Sequence, residues 1–160
     1  MLYNQSKYFA AGVFFGQMAG VSQVFAVWSR RKPEYKFPGG CSNEGENPVD
    51  CLIREIWEEL SVEVRHAENV FPDNGFQRPL GDNHHEQHFF LIRKYNGRLQ
   101  NGSFLDDNEP KIGAWVSLEE FWRNAFTSHR AAFYHALRFQ SSIDADFKRQ
   151  NRDFVRFLER

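Results

Sequence analysis

The chain has little cysteine: two in 160 residues, Cys41 and Cys51, ten apart and without a C-x-x-C spacing. That excludes a disulfide framework and argues against a cysteine zinc site. A reducing, cytoplasmic setting is expected. Net charge is also lacking. Twenty Lys and Arg balance 21 Asp and Glu, for a formal −1, so no global basic field recruits nucleic acid or anionic membrane. Long hydrophobic runs are scarce. The one candidate, Tyr8 to Trp28, is broken by Gln17, Ser22, Gln23 and three glycines, and no basic region precedes a small-residue cleavage site. Two strands joined by a turn at Gly16–Gly20 explain it better, and neither a membrane span nor a signal peptide is expected. Repeats and low-complexity segments are missing as well. The length predicts a single domain over residues 1–160, and 17 phenylalanines with four tryptophans predict an aromatic-rich core.

What is abundant is acid at helical spacing. Gly40 to Val62 reads GCSNEGENPVDCLIREIWEELSV. Asn47 suits an N-cap, Pro48 the first helical position, and Asp50 a capping-box-like start, so a helix is predicted from Pro48 to about Leu60. Val49, Leu52, Ile53, Ile56 and Leu60 form its apolar stripe on a 3.6-residue period. Glu55, Glu58 and Glu59 stand together at i, i+3 and i+4, well around the cylinder. Like charges so placed repel by a few tenths of a kcal/mol. Taken alone they would be a solvated acidic face. A divalent cation reverses the sign, and Mg²⁺ prefers such hard oxygen ligands.

The stretch resembles the Nudix box. Gly40, five residues, Glu46, seven residues, Arg54-Glu55-Ile56, one residue, Glu58-Glu59, one residue, Ser61-Val62 follows the pattern G-x5-E-x7-R-E-U-x-E-E-x-G-U, where U is a bulky aliphatic. The Phe37-Pro38-Gly39 lead-in is similar too. One fixed position departs: Ser61 replaces the last glycine, where a left-handed residue would end the helix. Serine there costs about 1 kcal/mol but touches no metal ligand.

The resemblance implies an α/β fold, a Nudix-type α/β/α sandwich with a mixed β-sheet between helices. It implies Mg²⁺-dependent (Mn²⁺ being an alternative) hydrolysis of the pyrophosphate bond of a nucleoside diphosphate linked to another group. Glu55, Glu58 and Glu59 would hold the metal, with a backbone carbonyl at Gly39 or Gly40 joining the shell. Glu46 and Arg54 would support them from behind. Arg30, first of the basic run Arg30-Arg31-Lys32, is the candidate for a substrate phosphate. Glu109, with Asp107 close behind, is the candidate acid from a later loop. The general base is left open among Glu55, Glu59 and Glu109. Cys41 is not expected to be a nucleophile.

Elsewhere, Tyr8–Phe15 and Val21–Trp28 read as strands, 62–64 and 67–71 as extended, Pro72–His85 as a polar loop, and Glu86–Lys94 as a strand before an Asn96-Gly97 turn. His84, His85 and His88 read as a structural or solvent-facing cluster. Residues 99–113 look loop-like. Helices are predicted over about 117–160: Leu118–Ala125 capped by Ser117, a second capped by Ser128 and running to about Phe139, and a third over Ser141–Arg160.

A small-molecule nucleotide substrate, a monomer or homodimer, and no membrane partner complete the expectation. Pro79 lies near the place where a proline goes with ADP-ribose in the family, and no tyrosine sits where dinucleoside polyphosphates would call for one. Sugar nucleotides, ADP-ribose-like compounds and nucleoside triphosphates stay open. Two rivals remain: a non-catalytic Nudix domain binding a nucleotide or protein, which three clustered acids argue against, and a pyrophosphohydrolase of RNA 5′ ends, which the neutral charge disfavours.

Overall fold

The computed structural model describes residues 8–71 and 86–160. Its elements run β1 (Tyr8–Val13), β2 (Phe15–Met18), β3 (Val21–Ser29), β4 (Gly39–Cys41), α1 (Pro48–Leu60), β5 (Glu63–Asn69) and β6 (Glu86–Asn96). Then come β7 (Gly102–Asp106), β8 (Glu109–Ser117), α2 (Leu118–Asn124), α3 (Thr127–Ile143), α4 (Ala145–Gln150) and α5 (Arg152–Leu158). The chain divides into two compact units, one from residues 1–12 and 38–99, the other from 13–37 and 100–160.

The first unit holds a four-stranded sheet in the order β4-β1-β6-β5, with α1 against β4 and β5. Phe89-Phe90-Leu91-Ile92 is buried throughout, as a strand covered on both faces requires. The edge strand β4 pairs antiparallel with β1, Ala10 opposite Gly40 and Ala11 opposite Gly39. Helix α1 starts as its sequence dictates: Asn47 Oδ1 accepts the Asp50 N–H at 2.9 Å and Pro48 occupies the first turn. It ends at Ser61, left-handed at φ 54° and ψ 37°, whose N–H closes on the Trp57 carbonyl. The glycine-like geometry expected at Ser61 is present.

The second unit holds an antiparallel sheet in the order β2-β3-β8-β7, with α2 and α4 against β3. Its core is aromatic. Phe37 stacks on Phe121 at 4.6 Å, and Phe121 meets Phe133 at 4.7 Å with the rings tilted by 60°, contacts that add to plain area burial. The expected α/β class, sheets flanked by helices, holds.

Several boundaries moved. The first predicted strand, Tyr8–Phe15, ends at Val13 as β1, and Gly16 to Met18, expected in the turn, pair with β3 as part of β2. The 99–113 stretch is not a loop but most of a β7–β8 hairpin, turning at Asp107 and Asn108 with φ of 48° and 65°. Helix α3 begins at Thr127 after Phe126, with no side-chain cap, so Ser128 lies inside it and is buried. The last predicted helix is broken at Asp144, which caps α4 by accepting the Phe147 N–H, and again at Asn151. Pro79, His84 and His85 lie outside the described residues. His88 is buried, 5.3 Å edge-on to Tyr8 and 3.4 Å from Glu86.

Candidate active site

The buried side of α1 is set by Cys51, Leu52 and Ile56, while Val49 and Ile53, expected in the stripe, are exposed. The inward face is therefore rotated toward the acids. The Glu55 side chain is only 13% accessible, whereas that of Glu58 is 56%. Burial accordingly raises Glu55 above the ordinary carboxylate range, against the opposing pull of Arg54.

Arg54 gathers the site. Its guanidinium donates to both oxygens of Glu46 (2.8 and 2.9 Å), to Glu55 (3.0 Å), to Glu58 (3.1 Å) and to the Cys41 carbonyl (3.0 Å). Those bonds from Arg54 hold Glu46 down at about 2, and they push Arg54 further up. Glu46 also accepts the Asn43 N–H at 3.0 Å, closing the loop onto the helix. Four carboxylates against one guanidinium leave an acidic surplus of hard oxygen donors, the composition a Mg²⁺ or Mn²⁺ site needs. Among the described residues no three His, Cys, Asp or Glu side chains already converge as an ion cage. Arg54 holds Glu55 and Glu58 instead.

Gly40 makes room for this. A Cβ there would lie 2.4 Å from Cδ of Glu55, so the carboxylate rests directly on the glycine backbone. Carbonyls alternate along a strand. Cys41's faces Arg54, so that of Gly39 shares its side. The Gly40 carbonyl, expected to reach a metal, instead accepts the Cys51 thiol at 3.4 Å. Cys51 is fully buried, and burial, with Glu46 and Glu55 adding, pushes its thiol up to about 12. Sequence reading missed this contact, although position 51 precedes Arg54 by one helical turn.

A family model, the NUDIX domain, matches residues 9–137. The chain belongs to the Nudix family. An RNA pyrophosphohydrolase of Psychrobacter sp. is 32% identical over 94 residues, covering 56% of this chain and 52% of that protein. An 8-oxo-dGTP diphosphatase of Escherichia coli is 29% identical over 83 residues, covering 52% and 57%. The chain thus spans about half the length of these curated relatives. Among solved structures, a MutT Nudix hydrolase from Burkholderia pseudomallei superposes with TM-score 0.64 at 16% identity, over 82% of this chain and 98% of that one. A C. elegans Ap4A hydrolase gives 0.63 at 17% identity, over 84% and 98%. At such identities the structures speak for the fold.

The structure brings Gly40, Glu46, Arg54, Glu55, Glu58 and Glu59 together in the first unit. Arg30 and Glu109 belong to the second, where they are near neighbours. Ser29 Oγ donates to Glu109 Oε1 at 2.7 Å, and Arg30 follows Ser29, exposed. Glu109 itself opens β8 rather than lying in a loop. No helix among the described residues is long and apolar enough to cross a membrane.

Proposed function

We propose that this Nudix protein is a Mg²⁺-dependent hydrolase of the pyrophosphate bond in a nucleoside diphosphate linked to another group, with Mn²⁺ able to substitute. The observation that carries the reading is the acid cluster of α1 seated on Gly40, with more negative charge than Arg54 neutralises. Glu55, Glu58 and Glu59 would hold the metal, with Glu58 the most exposed of the carboxylates paired with Arg54 here. Of the two glycine carbonyls, Gly39's is better turned to join them. Bound Mg²⁺ supplies charge neutralisation at the diphosphate and a water acidified for attack. Arg54 keeps Glu46 and Glu55 oriented, Arg30 grips a phosphate, and Glu55, Glu59 or Glu109 takes the water's proton. The two free cysteines suit a reducing, cytoplasmic location, and the chain is read as one domain.

A second substrate reading has its own support. Three matched Psychrobacter proteins are named RNA pyrophosphohydrolase, and Arg30-Arg31-Lys32 form an exposed basic run suited to an RNA 5′ phosphate. A hydrolysis panel decides between the two. It runs sugar nucleotides, ADP-ribose, dinucleoside polyphosphates, nucleoside triphosphates and 5′-triphosphorylated RNA, with and without Mg²⁺, on wild type and Glu59→Gln. Mg²⁺-dependent cleavage of one class, lost in the variant, supports the enzyme and names its substrate. Turnover undiminished in Glu59→Gln would remove that residue from the metal site.

A further inference from the structure

Helix α1 grips strand β4 at two successive carbonyls from opposite sides. Arg54 donates to the Cys41 carbonyl at 3.0 Å, and the Cys51 thiol meets the Gly40 carbonyl at 3.4 Å. Residues 51 and 54 are one turn apart on a single helix face, and Arg54 also pairs with Glu46. Holds on two successive carbonyls, which point to opposite sides of a strand, oppose its roll about its axis more than a single hold does. That roll sets where Gly39 points its carbonyl and where Gly40 presents the bare Cα on which Glu55 lies. Strand β4 is three residues long and lies at the sheet edge. Its pairing with β1, continued by Gly12 N–H to the Pro38 carbonyl and Ser42 N–H to the Tyr8 carbonyl, holds one side only, and the two α1 contacts add to that hold.

We propose that Cys51 is a positioning residue for the metal centre, its S–H fixing the Gly40 peptide so that Glu55 and the Gly39 carbonyl meet the ion in register. The inference rests on the metal-dependent reading above. It concerns a thiol that touches neither substrate nor reacting atoms and acts through the backbone.

The sequence supplies a clean probe. Gly40–Cys41 is its sole Gly–Cys pair. Protein labelled with ¹³C at glycine carbonyls and ¹⁵N at cysteine therefore gives one carbonyl–amide correlation, that of the Gly40 peptide. Wild type, Cys51→Ala and Cys51→Ser are compared by this signal and by Mn²⁺ titration followed by electron paramagnetic resonance, while the full amide spectrum verifies the fold. Cys51→Ala should displace the carbonyl resonance, and Cys51→Ser, which keeps a donor, should return it toward wild type. The Mn²⁺ Kd should rise about 3- to 10-fold in Cys51→Ala, at or below the low end for outer-shell partners because S–H is a weak donor, and stay within about twofold in Cys51→Ser. An unmoved carbonyl signal, or equal Kd in wild type and Cys51→Ala, would overturn the inference alone. So would a serine variant as weak as the alanine one, since packing would then explain the loss. If wild type binds Mn²⁺ no better than Glu58→Gln, the metal reading falls first and takes the inference with it.

Discussion

Replacing Gly40 with alanine puts a methyl carbon 2.4 Å from Cδ of Glu55 and 2.5 and 2.7 Å from its two oxygens. A side chain can yield, so the expected response is rotation of Glu55, which abandons its 3.0 Å bond from Arg54. An off-rotamer side chain costs about 0.5–1.5 kcal/mol and a lost charged hydrogen bond about 1.5–3, against about 0.4–1 regained from a stiffer unfolded chain. The net is a loss of about 1–4 kcal/mol, or a Tm lower by about 2–16 °C for a chain of this size. The neighbouring substitution differs in kind. At Gly39 the new carbon would stand 2.0 Å from the Ala10 carbonyl oxygen and 2.6 Å from the Ala11 Cα, which are backbone. The relief available is to part β4 from β1, and the damage should exceed the about 1–3 kcal/mol usual for overpacking. Thermal melts and Mn²⁺ titrations on both variants test this. Gly40→Ala should fold, melt moderately lower and bind Mn²⁺ poorly; Gly39→Ala should melt much lower or fail to fold. A Gly40→Ala protein with wild-type Mn²⁺ affinity and turnover, or one less stable than Gly39→Ala, would refute the seating of Glu55 on Gly40.

Glu58→Gln should cut turnover by orders of magnitude while shifting Tm little, because the exposed side chain keeps an acceptor for Arg54; wild-type turnover would remove Glu58 from the metal. Ser61→Gly should stabilise the fold by about 1 kcal/mol, since φ is 54° there, and a lower Tm would contradict that geometry. Arg30→Ala should raise KM more than it lowers kcat if Arg30 grips phosphate, and an unchanged KM would exclude it. His129 is buried, its Nδ1 accepting the Phe37 N–H at 2.9 Å, and burial lowers it well below the usual histidine value. The unfolded chain therefore takes up the proton first. Its contribution to stability is full above about pH 6.5 and falls as pH drops, by up to about 1.4 kcal/mol per unit. Denaturant melts from pH 7 to 5.5 should show that slope and lose much of it in His129→Gln.

Local rules made α1 legible. Asn47, Pro48 and Ser61 act within a few residues of themselves, and the box spacing put Glu46 in reach of Arg54. The hairpin β7–β8 was missed because Asp106 to Glu109 reads as acid before it reads as a turn, though Asp107-Asn108 tolerates the left-handed backbone a tight turn needs. Val49 and Ile53 were placed on the buried stripe by periodicity, which locates a face but not the neighbour that covers it. The Cys51–Gly40 contact and the clasp of His129 on Phe37 depend on tertiary approach, and no spacing announces either. Arg30 and Glu109 were nominated separately, and it took strand pairing of β3 with β8 to make them near neighbours.

On the metal-dependent reading proposed above, Arg54 has a consequence for how the protein meets its metal supply. Without a counter-ion, a half-buried Glu55 beside Glu46, Glu58 and Glu59 would push the helix away from β4. The guanidinium is a built-in placeholder cation, so the chain can fold before any ion arrives. Folding and loading are then separate events, unlike those of proteins whose metal is their core. Chelation should silence the enzyme and leave the chain folded, lowering Tm only by the ion's binding contribution, and readdition of Mg²⁺ should restore turnover with no refolding phase. The site would then follow free Mg²⁺ reversibly, a gauge rather than a scaffold.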